Sequence, residues 1–175
     1  VMHMQNPHIP AMHFNTRYIC TTQNWFGGGM DITPSIKDKK EENNFHLSLK
    51  KMCDRHNKAY YKRYKKWCDE YFYLPHRNEA RGIGGIFFDY KKNNFERDFK
   101  FVRDVGVTFQ MVFNNIIEKK INKKWTLKDK EMQYIKRGRY AEFNLLYDRG
   151  TKFGLQTGGN VEGILMSLPP IAKWK

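Results

Sequence analysis

WCDEYFYLPHRNEARGIGGIFFD, residues 67–89, changes character twice and decides how the rest of the chain is read. Its first part, Trp67 to Leu74, continues an aromatic helical pattern. That pattern stops at Pro75, which lacks an N–H and pushes the residue before it out of the helical region. A short turn follows, crowded with His76, Arg77, Glu79 and Arg81. The run from Gly82 to Phe88 then closes on Asp89. Ile83-Gly-Gly-Ile-Phe-Phe is too short to cross a membrane and too apolar for water, so it reads as a buried strand. Glycines weaken a strand interior unless something approaches the backbone closely. A turn rich in histidine and arginine that leads into such a strand makes a floor for an anionic ligand.

Upstream, His13 to Cys20 alternates as a strand, with His13, Asn15 and Arg17 on one face and Phe14, Thr16 and Tyr18 on the other. Trp25 to Pro34 is a second strand carrying the triplet Gly27-Gly28-Gly29. It lacks the Gly-Lys-Ser/Thr of a phosphate-binding loop and no helix follows it directly, which excludes a nucleotide-cradling role. The glycines instead let a flat ligand lie against the backbone, with Asp31 just past them as its polar contact. Otherwise Asp31 is a turn residue ahead of Ile32-Thr33-Pro34. On either reading Asp31→Asn is expected to fold normally.

Lys37 to Glu42 reads as a solvated loop, and from about Asn43 the spacing turns helical, with His46, Leu49, Cys53 and His56 on one face. Cys53-x-x-His56 has no second ligand pair at zinc spacing. Tyr60, Tyr64, Trp67 and Tyr71 form an aromatic core stripe. Downstream of the opening stretch, Asn94 caps a long amphipathic helix whose inward residues are Phe99, Val102, Val105, Phe109, Val112, Phe113 and Ile116. Thr126 and Asp129 form a capping box for a helix to Lys136. Gly138 then breaks it, and strands are expected at Tyr140–Tyr147, Phe153–Gln156 and Val161–Ser167. Turns at 148–152 and 157–160 would join them as hairpins. Antiparallel pairing of this kind indicates an α+β fold.

A length of 175 residues fits one domain. The net charge of +14 calls for an anionic partner or for solvated lysine faces. The basic residues are scattered and match no nucleic-acid-binding motif, so a basic nucleic-acid-binding module is the runner-up reading only. Cys20, Cys53 and Cys68 form an odd set without a CxxC pair, as in a reducing compartment. No apolar run reaches transmembrane length.

In order along the chain, NPHIPAMHFNTRY, WFGGGMDITP, YKKWCDEYFYLPHRNEARGIGGIFFD, RGRYAEFNLLYDRGTKFGLQTGG and ILMSLPP resemble oxygen-dependent coproporphyrinogen III oxidase. The resemblance runs from about His3 to Trp174. Chains of that family extend past both ends, so residues 1–175 correspond to one domain lacking N- and C-terminal portions. The resemblance implies a large antiparallel sheet flanked on both faces by α-helices, in a cytoplasmic homodimer without a transmembrane segment. It implies oxidative decarboxylation of two propionates of coproporphyrinogen III to vinyls, giving protoporphyrinogen IX in haem synthesis. O₂ is the co-substrate, and neither an organic cofactor nor nucleic acid takes part. A porphyrin-binding but inactive fragment is the alternative within the family.

Carried over residue by residue, the resemblance makes His13 the proton donor and Asp31 the group facing the pyrrole nitrogens. Asn15, Thr16 and Arg17 become substrate contacts, as do Gly158, Gly159 and Asn160. Arg81, Arg149 and Lys152 hold propionates. Histidines described as ligands of a divalent metal such as manganese in some members match His3, His13, His46 and His76. Asn160 stands where many members have arginine, and a His-x-His pair survives only as His46, with Asn44 at its first place. The loop between Tyr18 and Trp25 is shorter than usual. A tetracarboxylate suits arginine, whose planar fork pairs carboxylate in two-point geometry.

Overall fold

In the computed structural model, which describes residues 1–174, the chain opens with β1 (Ala11–Ile19) and β2 (Trp25–Thr33). Helices α1 (Lys39–His56) and α2 (Tyr60–Tyr71) follow, then a ribbon of β3 (Tyr73–Leu74) and β4 (Glu79–Ala80) around the 3₁₀ turn Pro75–Arg77. β5 (Gly85–Lys91) leads into α3 (Phe95–Lys120), α4 (Leu127–Leu146), α5 (Arg149–Gln156) and α6 (Val161–Leu165). The sheet order is β1-β2-β5, antiparallel throughout. The fold is α+β as expected, with a sheet of three strands among the described residues rather than a large one. None of the described helices is long and apolar enough to cross a membrane.

Period-two alternation gives this sheet two unlike faces. Met12, Met30, Ile32, Ile86 and Phe88 point one way and are at most 1% exposed, packed with Leu49 and Met52 of α1 and Phe101 and Val105 of α3. The other face carries His13, Asn15, Arg17, Asp31, Phe87 and Asp89. The end of α2, the β3–β4 ribbon and α4 cover it, through a second cluster of Cys68, Phe72, Leu74 and Phe143. Helices therefore lie on both faces, and the polar half of each strand is enclosed.

Caps set the helix boundaries. Asp38 accepts from the Glu41 amide, so Lys39–Glu42 is the first turn of α1 and not a solvated loop. Asn94 caps α3 as expected. Phe99, though, is 47% exposed, and Phe101 takes the inward place because the buried stripe runs through Phe101, Val105, Thr108, Val112 and Ile116. The capping box of Thr126 and Asp129 forms as expected, but α4 runs straight through Gly138.

A Cβ at Gly138 would sit 2.4 Å from the Lys173 carbonyl oxygen, so this glycine admits a passing chain and does not break the helix. The expected strand Tyr140–Tyr147 is the second half of α4, where Tyr140, Phe143 and Tyr147 recur at helical spacing. Phe153–Gln156 and the first part of Val161–Ser167 are also helical. Asp148 and Asn160, read as turn residues, are the N-caps of α5 and α6, accepting from the Thr151 and Gly163 amides. Asp and Asn serve turns and N-caps by the same side-chain hydrogen bond, which is why the hairpin reading failed there.

Candidate active site

The polar face of the sheet, the end of α2 and the α4–α5 junction enclose a cleft of about 410 Å³. Strand alternation brings His13, Asn15 and Arg17 into it from β1, and β5 adds Phe87 and Asp89. Tyr71 and Arg149 line it as well. The Tyr71 and Phe87 rings stack with centroids 4.9 Å apart and 4° between planes, a flat aromatic surface. Burial first, and the Asp148 charge second, push the Tyr71 hydroxyl up to about 12. It therefore stays protonated and donates to Asp148 Oδ1 at 3.0 Å. The Arg149 guanidinium lies 5.6 Å from the Tyr71 ring centroid.

Beneath His13 lies a buried relay. Its Nδ1 is 3.0 Å from Asp31 Oδ1, and Asp31 Oδ2 accepts from Arg81 Nη2. Asp31 sits inside β2, opposite His13 on one side and Gly85 on the other, so it is neither a turn residue nor a surface contact. The side chains of Arg81 and Asp31 are 1% and 2% exposed. Burial alone would push the Asp31 carboxyl up, but the Arg81 charge and the hydrogen bond from His13 hold it below the usual carboxylate range. Arg81 stays charged because Asp31 outweighs its own desolvation. Its guanidinium carbon is also 3.8 Å from the Phe72 ring centroid and 4.7 Å from that of Tyr140. Arg81 lines the cleft, with its side chain 1% exposed and its hydrogen bond given to Asp31. The Nε2 of His13 makes no hydrogen bond among the described residues and is the ring nitrogen left for the cleft.

A second network fixes the turn that brings in Arg81. Glu142 of α4 accepts from Arg77 Nη2 at 2.6 Å, from Arg139 Nη1 at 3.2 Å, and lies 2.8 Å from His76 Nε2. The Arg77 hydrogen bonds lead the causes that bring the Glu142 carboxyl down to about 2. Sequence reasoning missed Glu142 because two of its three partners, His76 and Arg77, lie 66 and 65 positions away. It also missed Asp148, which joins Tyr71 to the start of α5.

The remaining candidates lie elsewhere. Thr16 is exposed on the opposite face of β1. Lys152 is exposed on α5, and Gly158, Gly159 and Asn160 are exposed between α5 and α6. None of these five lines the cleft. The four histidines of the metal set do not converge. His3 bonds the Ser167 carbonyl at 2.9 Å and His46 the Ile83 carbonyl at 2.9 Å. His13 bonds Asp31, while His76 holds Glu142 and the Tyr147 hydroxyl, each at 2.8 Å. Among the described residues no three His, Cys, Asp or Glu side chains are grouped to hold a metal ion. The donor set does not fit one.

Residues 1–175 match the family model described as coproporphyrinogen III oxidase. The chain is 59% identical over 175 residues to the oxygen-dependent coproporphyrinogen-III oxidase of Rickettsia rickettsii (strain Sheila Smith), covering 99% of this chain and 63% of that protein. The similarly named protein of Rickettsia bellii (strain OSU 85-389) is 58% identical over 99% of this chain and 63% of its own. That of Rickettsia akari (strain Hartford) is 57% identical over the same shares. The chain spans just under two thirds of the length of these curated relatives.

Proposed function

We propose, because this chain belongs to the coproporphyrinogen III oxidase family, that its cleft binds coproporphyrinogen III and that its protein converts two propionates to vinyls with O₂. The observation that carries this reading is the His13–Asp31–Arg81 relay opening into a cleft with an aromatic wall and two further arginines, Arg17 and Arg149. For each propionate, two electrons and the β-hydrogen leave with loss of CO₂. O₂ takes the electrons and, with that hydrogen and one further proton, becomes H₂O₂. The overall change therefore consumes one proton, and His13 Nε2 is the group placed to supply it. Asp31 orients the imidazole through Nδ1, while Arg81 keeps Asp31 ionised. Arg17, Arg149 and Asn15 are suited to the carboxylates. No step is routed through a metal, since the histidines do not converge.

A homodimer in a cytoplasmic setting completes the reading. Supporting it are the apolar side chains that α5, α6 and the segment after them expose, with Phe153 at 69% and Met166 at 83%, and cysteines that remain free. The test is anaerobic and aerobic incubation of the full-length protein with coproporphyrinogen III. Protoporphyrinogen must form only with O₂, with one H₂O₂ per vinyl. Absence of turnover by folded protein overturns the proposal.

A further inference from the structure

Gly27 of β2 faces two residues of β5 where one would do. Gly28 pairs with Phe88 and Phe26 with Lys91, so Asp89 and Tyr90 together oppose Gly27. This is a β-bulge, and Tyr90 adopts φ 52°, a conformation side chains seldom take. Asp89, the first residue of the bulge, keeps the polar face it shares with Phe87. Its Oδ2 lies 2.8 Å from Arg17 Nη2 on the far strand, across the top of β2. Its Oδ1 accepts from Trp25 Nε1 and the Tyr90 amide, each at 3.1 Å. Arg17 Nη1 donates in turn to Asn15 Oδ1 at 3.0 Å.

Gly27 lets this pair lie flat on the sheet. A Cβ there would be 2.4 Å from Asp89 Oδ1 and 2.7 Å from Arg17 Nε. One strand thus carries the guanidinium, the next clears its path and the third anchors it. A partly exposed ion pair stabilises a fold little, so stability alone does not explain a strained bulge and an indole donor at this spot. Arginine has five N–H donors, and Asp89 and Asn15 engage two. With its side chain 33% exposed in the cleft, Arg17 has donors left for an incoming anion.

We infer that Asp89 is a positioning residue, which holds Arg17 in the orientation that receives a ligand carboxylate. The inference rests on the proposed role of the cleft in binding coproporphyrinogen. Asp89→Asn removes the charge and keeps an acceptor, whereas Asp89→Ala removes both, so comparing the two isolates positioning from electrostatics. The full-length protein is titrated with coproporphyrin, the stable oxidised macrocycle bearing the same four propionates, by fluorescence. Kd of Asp89→Ala is expected to exceed that of Asp89→Asn by roughly 3–10-fold, the penalty of re-immobilising one long side chain on binding. In an Arg17→Ala background the two Asp89 variants should bind alike, which a merely structural role would not produce. If the parent binds but the two single variants agree within twofold, or still differ without Arg17, the inference falls alone. If the folded parent neither binds coproporphyrin nor turns over coproporphyrinogen, the reading of the cleft falls and takes the inference with it.

Discussion

Asp31→Asn tests the buried relay most directly. From sequence this change is expected to leave folding intact, but the structure places Asp31 in a dry ion pair with Arg81, their side chains 2% and 1% exposed. Removing one member of such a pair costs about 3–5 kcal/mol, because the other charge stays buried without compensation. The asparagine oxygen still accepts from Arg81, so the low end, about 3 kcal/mol, is expected. With a urea slope of about 2 kcal/mol per molar, the unfolding midpoint should fall by about 1.5 M, read by circular dichroism with the slope unchanged. Asp31→Leu combined with Arg81→Met should recover much of this loss, since both charges leave together. Turnover of folded Asp31→Asn should drop about 10²-fold, as the anion opposing developing positive charge is gone. A midpoint shift below about 0.3 M would refute the energetic reasoning. Turnover within a few-fold of the parent would reduce Asp31 to a structural partner.

Three further outcomes follow from other contacts. Glu142 has its carboxyl lowered from 4.5 to about 2, so its contribution is complete above pH 4.5 and disappears as pH falls toward 2. Glu142→Gln should therefore be about 2 kcal/mol less stable at pH 7, discounted for its partly exposed partners, and equal to the parent near pH 2 in acid-unfolding titrations. Arg17→Ala should weaken coproporphyrin binding by tenfold or more, about the loss of one charge-assisted contact, and unchanged affinity would remove Arg17 from the site. Gly138→Ala places a methyl 2.4 Å from the Lys173 carbonyl and should break the bond from the Lys173 amide to the Tyr134 carbonyl, 3.0 Å long. Tryptic cleavage at Lys173 should then accelerate, and unaltered protection would show that the segment simply shifts.

Strand alternation was enough to place His13, Asn15 and Arg17 on one face and to set Thr16 opposite, because period two leaves no other arrangement. The helix caps at Asn94 and Thr126 were legible for the same local reason. The second half of α4 was not. Tyr140 to Tyr147 carries apolar residues at positions that satisfy both periods, and Gly138 looks like a breaker until Lys173 is seen beside it. The charge of Arg81 is visible in sequence, but its burial is not, nor is its pairing with Asp31, fifty positions earlier. The Asp89 anchor escaped notice because a bulge depends on pairing between strands, which no single strand records.

Arg81 also borders a second hollow, of about 680 Å³, on the side of Pro34, Lys37 and Lys136. Asp31 borders a third, of about 420 Å³, near Lys65 and Asp69. The ion pair is therefore a septum, one guanidinium and one carboxylate thick, between the cleft and water-accessible spaces behind it. Shortening Arg81 would do more than unpair Asp31. It would open a rear door that widens the access of bulk water to a carboxylate whose side chain is now only 2% exposed. Removing the two charges together and refilling their volume would keep that door shut, so leakage and loss of charge can be separated by the choice of replacement.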